Sequence, residues 1–160
     1  MSNTAAAWLA CARRDDIAGE LDAIYAMIAD QVAARGPTCW ASGRCCNFER
    51  AGHRLYTTGL EAAYCVARLE PARGAWLTEA ALTLARARGD CPFLEGHTCG
   101  VHAIKPSACR IYFCDEAAQG WQHELTERVH GMIRGLHERH GIEYWYGEWR
   151  ELLALFVPRA

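Results

Sequence analysis

The sequence predicts a small, mostly α-helical domain in which two irregular loops interrupt the helices, with room for one short β-hairpin. Three observations lead to this prediction. Apolar residues recur at helical spacing in several segments, glycine and proline stand between those segments, and only one short stretch is typical of a strand. The chain has 160 residues, the length of one domain, and we expect residues 1–160 to form it. A domain of this size does not need a metal merely to fold.

The first predicted helix extends from Asp15 or Asp16 to Arg35. Gly36-Pro37 supplies the expected stop signal directly after it. The apolar residues of this segment are three or four positions apart and form one stripe: Ile17, Leu21, Ile24, Ile28 and Val32.

The middle of the chain predicts a strand followed by a helix. Residues 54–58 (Arg-Leu-Tyr-Thr-Thr) are typical of a short strand. Thr58-Gly-Leu-Glu61 forms a capping-box pattern, which predicts a helix that reaches about Leu69.

Three further helices are predicted towards the end of the chain. Pro71 and Gly74 separate the previous helix from one at about Ala75–Arg88, and two more follow near Trp121–His140 and Tyr146–Phe156. The apolar stripes of the last two helices are Leu125, Val129, Met132 and Leu136, and then Trp145, Trp149, Leu152 and Phe156.

Seven of the nine cysteines lie in two groups within the predicted loops. The first group is Cys39-Trp-Ala-Ser-Gly-Arg-Cys45-Cys46, and the second comprises Cys91-Pro-Phe-Leu-Glu-Gly-His-Thr-Cys99 and Cys109-Arg-Ile-Tyr-Phe-Cys114. Disulfides, a metal site or redox chemistry usually account for such a density of thiols. An odd count excludes complete internal pairing.

The expected compartment favours metal binding over disulfides. The N-terminal arginines follow the apolar residues, which is the wrong order for a secretory signal, and no apolar run approaches the ~18 residues of a membrane span. We therefore expect a cytoplasmic protein that does not enter a membrane, and thiols in that reducing compartment are typical of metal ligands or catalytic groups. The net charge of −2, with both signs interspersed, gives no basic footprint for nucleic acid.

The spacing of the cysteines suits convergent loops. Cys91 and Cys99 are separated by a Gly96 turn and could grip a metal from a hairpin, whereas Cys109 and Cys114 lie where a helical turn could begin. Adjacent side chains usually diverge. The pair Cys45-Cys46 could therefore serve two metal positions, or supply one ligand and one core thiol.

The first group resembles the Cys-x-x-Cys-x-x-Cys-Cys pattern of the YkgJ-type cysteine-cluster family. Cys39, Ser42, Cys45 and Cys46 occupy its four positions, so a serine stands where the family has its second cysteine. A serine hydroxyl is a poor, hard ligand beside thiolate.

The second group resembles the downstream signature of the same family. Its elements here are Cys91-Pro92-Phe93-Leu94, Cys99, Lys105-Pro106 and Cys109-Arg110-Ile111-Tyr112, with lysine in place of the customary arginine of the Arg-Pro dipeptide. The resemblance extends over residues 37–115, which we take as the metal-binding region.

The resemblance implies an iron–sulfur cluster of the four-iron type (4Fe-4S), because family members are described as iron- or zinc-binding and a similar cluster occurs in flagellin lysine N-methylases. We expect Cys46, Cys91, Cys99 and Cys109 as the core ligands. Cys39, Cys45 and Cys114 remain candidates for substitution in that set or for a second metal.

Three functions stay open at this point. The first is a redox, electron-transfer or sensing protein with an unidentified protein or redox partner. The second is an interaction module with structural zinc, which accepts the same thiolates. The third is a protein- or peptide-modifying enzyme related to the lysine methylases. Its catalytic residues are unknown, and the sequence shows no Gly-x-Gly-x-x-Gly nucleotide loop and no convincing nucleophile–base pair.

The remaining chemically notable residues have simpler interpretations. Cys11 and Cys65 lie among apolar neighbours and are expected to be small buried side chains. The histidines at 123, 130 and 137 share one helix face, for which a solvated polar face is the favoured interpretation. His97 and His102 lie inside the second cysteine group and could ligate a metal or tune it by hydrogen bonding. The aromatic residues at 144–149 favour core packing, and an exposed surface for a partner or peptide is the alternative.

Overall fold

A computed structural model describes residues 1–39, 42–69 and 77–157. Within those residues the chain forms eight α-helices and two pairs of short antiparallel strands, which confirms the predicted mostly-α class. The helices are α1 (Asn3–Ala12), α2 (Asp15–Arg35), α3 (Phe48–Ala51), α4 (Gly59–Ala67), α5 (Glu79–Arg88), α6 (Ser107–Ile111), α7 (Gln119–His140) and α8 (Trp149–Ala154). The strands are β1 (Tyr56–Thr58), β2 (Leu94–Glu95), β3 (Thr98–Cys99) and β4 (Tyr146–Glu148).

The helix α2 has the predicted bounds. Its stripe faces the core, with Ile17, Leu21 and Ile28 fully buried. Gly36 ends the helix in the left-handed region, at φ +55°, where a glycine has no steric cost. The helical periodicity and the glycine stop signal were therefore sufficient to predict where α2 begins and ends.

The helix α1 was not predicted, and it packs against α4. The Trp8 ring lies so close to the start of α4 that a Cβ on Gly59 would be 2.4 Å from it. The Trp8 indole N–H donates to the carbonyl of Glu143, 2.9 Å away. A bulky indole over a bare glycine thus joins the N-terminal helix to the rest of the fold.

The predicted capping box at the start of α4 is confirmed. The Thr58 hydroxyl accepts from the Glu61 N–H, and the Glu61 carboxylate accepts from the Thr58 N–H. The predicted hairpin between Cys91 and Cys99 is also present, with Leu94 opposite Cys99 and Glu95 opposite Thr98.

The predicted helix start at Tyr146 was wrong. Residues 146–148 form β4, which pairs antiparallel with β1 so that Thr58 lies opposite Tyr146 and Tyr56 opposite Glu148. The Glu148 carboxylate then accepts from the N–H groups of Arg150 and Glu151, and so α8 begins only at Trp149. A long-range strand partner explains the difference.

Two expectations for α7 were also wrong. Met132, predicted to face the core, is 36% exposed. Ile133 is buried instead, because the buried stripe continues by four-residue steps from Leu125 and Val129. His137 is buried rather than solvated, and its Nδ1 lies 3.3 Å from the Ile142 carbonyl oxygen.

The predicted break at Pro71 and Gly74, and the helix start at Ala75, lie outside the described residues. The described part of the next helix, α5, begins after a Thr78 cap and ends at Gly89, which has φ +72°.

One contiguous group of buried side chains extends from α1 to the end of α8. Its largest fully buried members include Trp8, Phe48, Leu60 and Trp149. In the described ranges, no helix combines the length and apolar character that crossing a membrane requires.

Candidate metal centre

The two cysteine-bearing loops contact each other directly. The Cys91 N–H donates to the Cys46 carbonyl at 2.7 Å, and the Cys46 N–H donates to the Gly43 carbonyl at 3.0 Å. Gly43 has φ +68°, and a Cβ on it would lie 3.1 Å from the Cα of His97 in the second loop. A glycine with a left-handed conformation therefore permits the close approach.

Five thiols are neighbours at this junction: Cys45, Cys46, Cys91, Cys99 and Cys109, which we call the cysteine site. The sulfurs of Cys45 and Cys46 are 4.0 Å apart. The thiols of Cys91 and Cys99 also act electrostatically on Cys46, and the charges of the same two residues act on Cys109. The four expected core ligands and Cys45 are thus brought together, whereas their role as ligands stays a prediction.

The thiols of the cysteine site have different proton affinities. A hydrogen bond with Cys46 lowers the pKa of Cys45 to about 6 and that of Cys99 to about 7, and the positive charge of Lys105 acts in the same direction on both. Its hydrogen bonds with Cys45, Cys91 and Cys99 raise the pKa of Cys46 instead. Thiolate is the metal-binding form of cysteine, so Cys45 and Cys99 are the thiols of this site that most readily reach it, and a metal bound to Cys46 would take the place of its proton.

Cys109 is positioned by a buried carboxylate. It lies on α6, whose first residue is Ser107, and the Ser107 N–H donates to Glu61 Oε1 at 2.8 Å. The same carboxylate accepts from the hydroxyls of Tyr25, Thr57 and Thr58 and from the Thr58 N–H. Five donors on one carboxylate thus connect the start of α4 to the helix that carries Cys109.

Arg110 supports the loop beside the cysteine site. Its guanidinium donates to the carbonyls of Lys105 and Ala103, each at 2.8 Å, and lies 4.1 Å from the centre of the Tyr25 ring. Lys105, which replaces the family's arginine, extends its ammonium to within 3.1 Å of His102 Nε2.

Cys39 and Cys114 line the cavity described below, and burial and then the charge of Cys45 raise the pKa of Cys114. Cys39 is exposed, and Cys114 is partly buried beside Tyr112. The Thr38 N–H donates to the Asp115 carboxylate at 3.3 Å, which connects the two segments. The Ser42 hydroxyl, in the position of the missing family cysteine, accepts from the Arg44 N–H at 3.4 Å.

Sequence reasoning missed two residues at this site. Cys65 is fully buried as expected, but it also lies close enough to the cysteine site that its pKa is raised by burial and then by the charges of Cys91 and Cys99. His53 places Nε2 3.3 Å from the Cys45 carbonyl oxygen, and its ring lies tilted against that of Tyr112 with the ring centres 4.6 Å apart. Neither residue belongs to a recognisable spacing of metal ligands in the sequence, so only their contacts in the folded structure identify them.

A cavity of about 910 Å³ adjoins the cysteine site. Its wall includes thiols of the cysteine site (Cys45, Cys46, Cys99 and Cys109), residues of α2 and α7, and both Tyr56 of β1 and Tyr146 of β4. His53, His97 and His102 line it as well. Tyr56 and Tyr146 are about two-fifths exposed and stack on each other, whereas Trp149 is buried, so the aromatic segment contributes both to a surface and to the core.

The cysteine site fits a soft metal in the kind of donor that it offers. Thiolate is the donor that zinc and iron–sulfur clusters share. In the part of the chain that the structure describes, however, no three Cys, His, Asp or Glu side chains are arranged so that they could hold one ion. The thiols are therefore neighbours and do not form a closed coordination shell.

Comparison with known proteins agrees with this donor chemistry. The family model CxxCxxCC, described as "Putative zinc- or iron-chelating domain", matches residues 38–127, which is more than half of the chain. The chain matches no curated protein and no solved structure.

Proposed function

This chain belongs to the CxxCxxCC family of zinc- or iron-chelating domains and binds metal, and we propose that its metal centre is a 4Fe-4S cluster with a redox, electron-transfer or sensing role. Cys46, Cys91, Cys99 and Cys109 are the proposed ligands. Cys45 is the nearest replacement, since its sulfur is 4.0 Å from that of Cys46. Such a cluster would supply one-electron transfer.

The observation that carries this proposal is the place of the thiols in the wall of a large cavity. Structural zinc sites are closed, with every coordination position filled by protein. This cavity of about 910 Å³ leaves one side of the cysteine site accessible to another molecule. The chain also has an extensive apolar core of its own, so a metal with a purely structural role is less needed than in a zinc finger.

The surrounding residues suit a negatively charged centre. Lys105 places a positive charge near Cys45, Cys99 and Cys109. Arg110 holds the segment that contains Lys105 in place. Four thiolates around a cluster leave a net negative charge, which these cations offset.

A structural zinc site is the second candidate, and one distance favours it. Two thiolates on one tetrahedral zinc, each bound at ~2.3 Å, lie roughly 3.8 Å apart. The 4.0 Å between the sulfurs of Cys45 and Cys46 is close to that separation. In this case the chain would be an interaction module, and the exposed tyrosines at 56 and 146 would be its candidate surface for a protein partner.

The third candidate is an enzyme that modifies a peptide or protein. The cavity beside the cysteine site supports it, because a substrate has room to reach the metal. We propose a cytoplasmic location for all three functions, since free clustered thiols persist in reducing compartments.

The deciding experiment is purification without oxygen, followed by measurement of bound iron, sulfide and zinc and of the visible spectrum. A brown protein with near-equal iron and sulfide supports the cluster. A colourless protein with stoichiometric zinc supports the structural site. Serine variants of the four proposed ligands should each lose the metal, whereas Cys11→Ser, on α1, should retain it. Full metal content in all four variants would refute the ligand set.

A further inference from the structure

The cysteine site has one thiol more than a metal centre uses. A tetrahedral zinc ion and a 4Fe-4S cluster each bind four cysteine thiolates, whereas five thiols are neighbours here. The buried or partly buried thiols are Cys46, Cys91, Cys99 and Cys109, whereas Cys45 is exposed. The four proposed ligands therefore leave Cys45 over, and Cys45 lines the cavity beside the site.

The spare thiol lies within reach of a metal that Cys46 binds. The sulfurs of Cys45 and Cys46 are 4.0 Å apart, and two thiolates on one tetrahedral zinc ion lie roughly 3.8 Å apart. Cys45 can therefore bind the metal before Cys46 leaves it. Zinc permits such an overlap, because it expands to five ligands during reactions.

The backbone of both cysteines is held by hydrogen bonds. The Cys46 carbonyl accepts from the Cys91 N–H at 2.7 Å, and the Cys46 N–H donates to the Gly43 carbonyl at 3.0 Å. His53 Nε2 lies 3.3 Å from the Cys45 carbonyl oxygen. An exchange between the two sulfurs therefore needs movement of side chains only, and the exposed Cys45 side chain has the space for it.

The cavity gives another molecule access to the site from the side of Cys45. Its volume of about 910 Å³ lies within the ~300–1,000 Å³ typical of ligand pockets. A molecule that takes a metal from cysteine must itself offer soft donors, because oxygen donors compete poorly with thiolate for zinc and for iron–sulfur clusters. The fitting acceptor is therefore a molecule that carries thiols.

From this arrangement we propose that Cys45 is a metal-exchange residue, through which the protein passes its metal to a thiol-bearing acceptor in the cavity. The bond from Cys45 Sγ to the metal forms, and the bond from Cys46 Sγ breaks. Thiols of the acceptor then replace the protein thiolates one by one, and each gives its proton to the thiolate that leaves. Nothing is oxidised or reduced. The inference goes beyond a redox role but rests on the proposed ligand set.

The test measures how fast the metal leaves and, separately, how much remains. Protein purified without oxygen is mixed with 2,3-dimercaptopropanol, a small uncharged dithiol, and the iron, sulfide and zinc left on the protein are followed to equilibrium. We expect Cys45→Ser to be purified with full metal content and to reach the same equilibrium as the parent protein. It should release the metal at least tenfold more slowly, because it lacks the neighbouring thiol that attacks within the molecule.

Cys114→Ser is the matched control, since Cys114 also lines the cavity but does not belong to the cysteine site. It should release the metal at the rate of the parent protein. An unchanged rate in Cys45→Ser, or equal slowing in both variants, would overturn the exchange role. Loss of metal from Cys45→Ser during purification would make Cys45 a permanent ligand and overturn it as well. Full metal content in Cys46→Ser would instead refute the ligand set, and the exchange role with it.

Discussion

Replacement of Glu61 by glutamine tests how the fold positions the cysteine site. The Glu61 side chain is 1% exposed and accepts hydrogen bonds from Tyr25, Thr57, Thr58 and Ser107. Glutamine keeps one accepting oxygen and turns the other into a donor. If the oxygen remains towards Ser107, the N–H of Thr58 loses its acceptor, while the two threonine hydroxyls can turn to other partners.

The expected cost follows from these contacts. An unsatisfied buried N–H costs ~1–3 kcal/mol, and the loss of charge from the remaining bonds adds roughly 1 kcal/mol. We therefore expect Glu61→Gln to lower the free energy of unfolding by about 2–4 kcal/mol, out of the ~5–15 kcal/mol typical of a domain. Because the Ser107 N–H is one of the donors, we also expect weaker metal retention through displacement of Cys109.

The assay is urea unfolding followed by circular dichroism, with metal content measured on the same samples. Glu79→Gln is the matched control, since Glu79 is also an acidic residue in the first turn of a helix but is exposed. Its effect should stay below ~0.5 kcal/mol. A Glu61→Gln variant within ~0.5 kcal/mol of the parent protein, with full metal content, would refute the reasoning.

Three further predictions address the loops and the pH dependence. Gly43→Ala should reduce the free energy of unfolding by roughly 1 kcal/mol or more and should also lower metal content. Gly52→Ala should leave metal content unchanged, because Gly52 has φ +71° but open space around it. Urea unfolding and metal analysis distinguish the two variants. In metal-free protein, iodoacetamide should modify Cys45 with a rate that rises through about pH 6, and buried Cys65 should stay unmodified until unfolding, as read by mass spectrometry. Burial lowers the pKa of His137, so below pH ~6.5 the unfolded chain binds a proton that the folded chain does not. The free energy of unfolding should therefore decrease as the pH is lowered through that range. His137→Gln should flatten the dependence of the urea midpoint on pH.

Local patterns predicted the elements whose stability is local. The bounds of α2 follow from its apolar period and from Gly36, and the start of α4 follows from a capping box that spans only residues 58–61. The hairpin at Cys91–Cys99 is likewise closed by its own turn. In each case the partners lie within a few positions of one another, so the sequence pattern contains the whole interaction.

Long-range contacts decided the elements that the patterns missed. Residues 146–148 are a strand because β1, about ninety positions earlier, supplies their hydrogen-bond partners. His137 was missed for a different reason: its heptad spacing suggested a polar face, but its buried ring contacts the Ile142 carbonyl and Tyr144, which follow the end of α7. The period of apolar and polar residues within one segment does not reveal partners that lie outside that segment.

The same division applies to the candidate site. The sequence by itself determined the kind of site: clustered thiols in glycine-rich loops, and the spacing that marks a zinc- or iron-chelating family. Only the tertiary structure decided which thiols are neighbours, that Cys65 and His53 lie beside them, and that a cavity lined by cationic, thiol and apolar side chains adjoins them. The physical reason is that donor chemistry belongs to individual side chains, whereas proximity, burial and charge balance arise only when distant segments pack together.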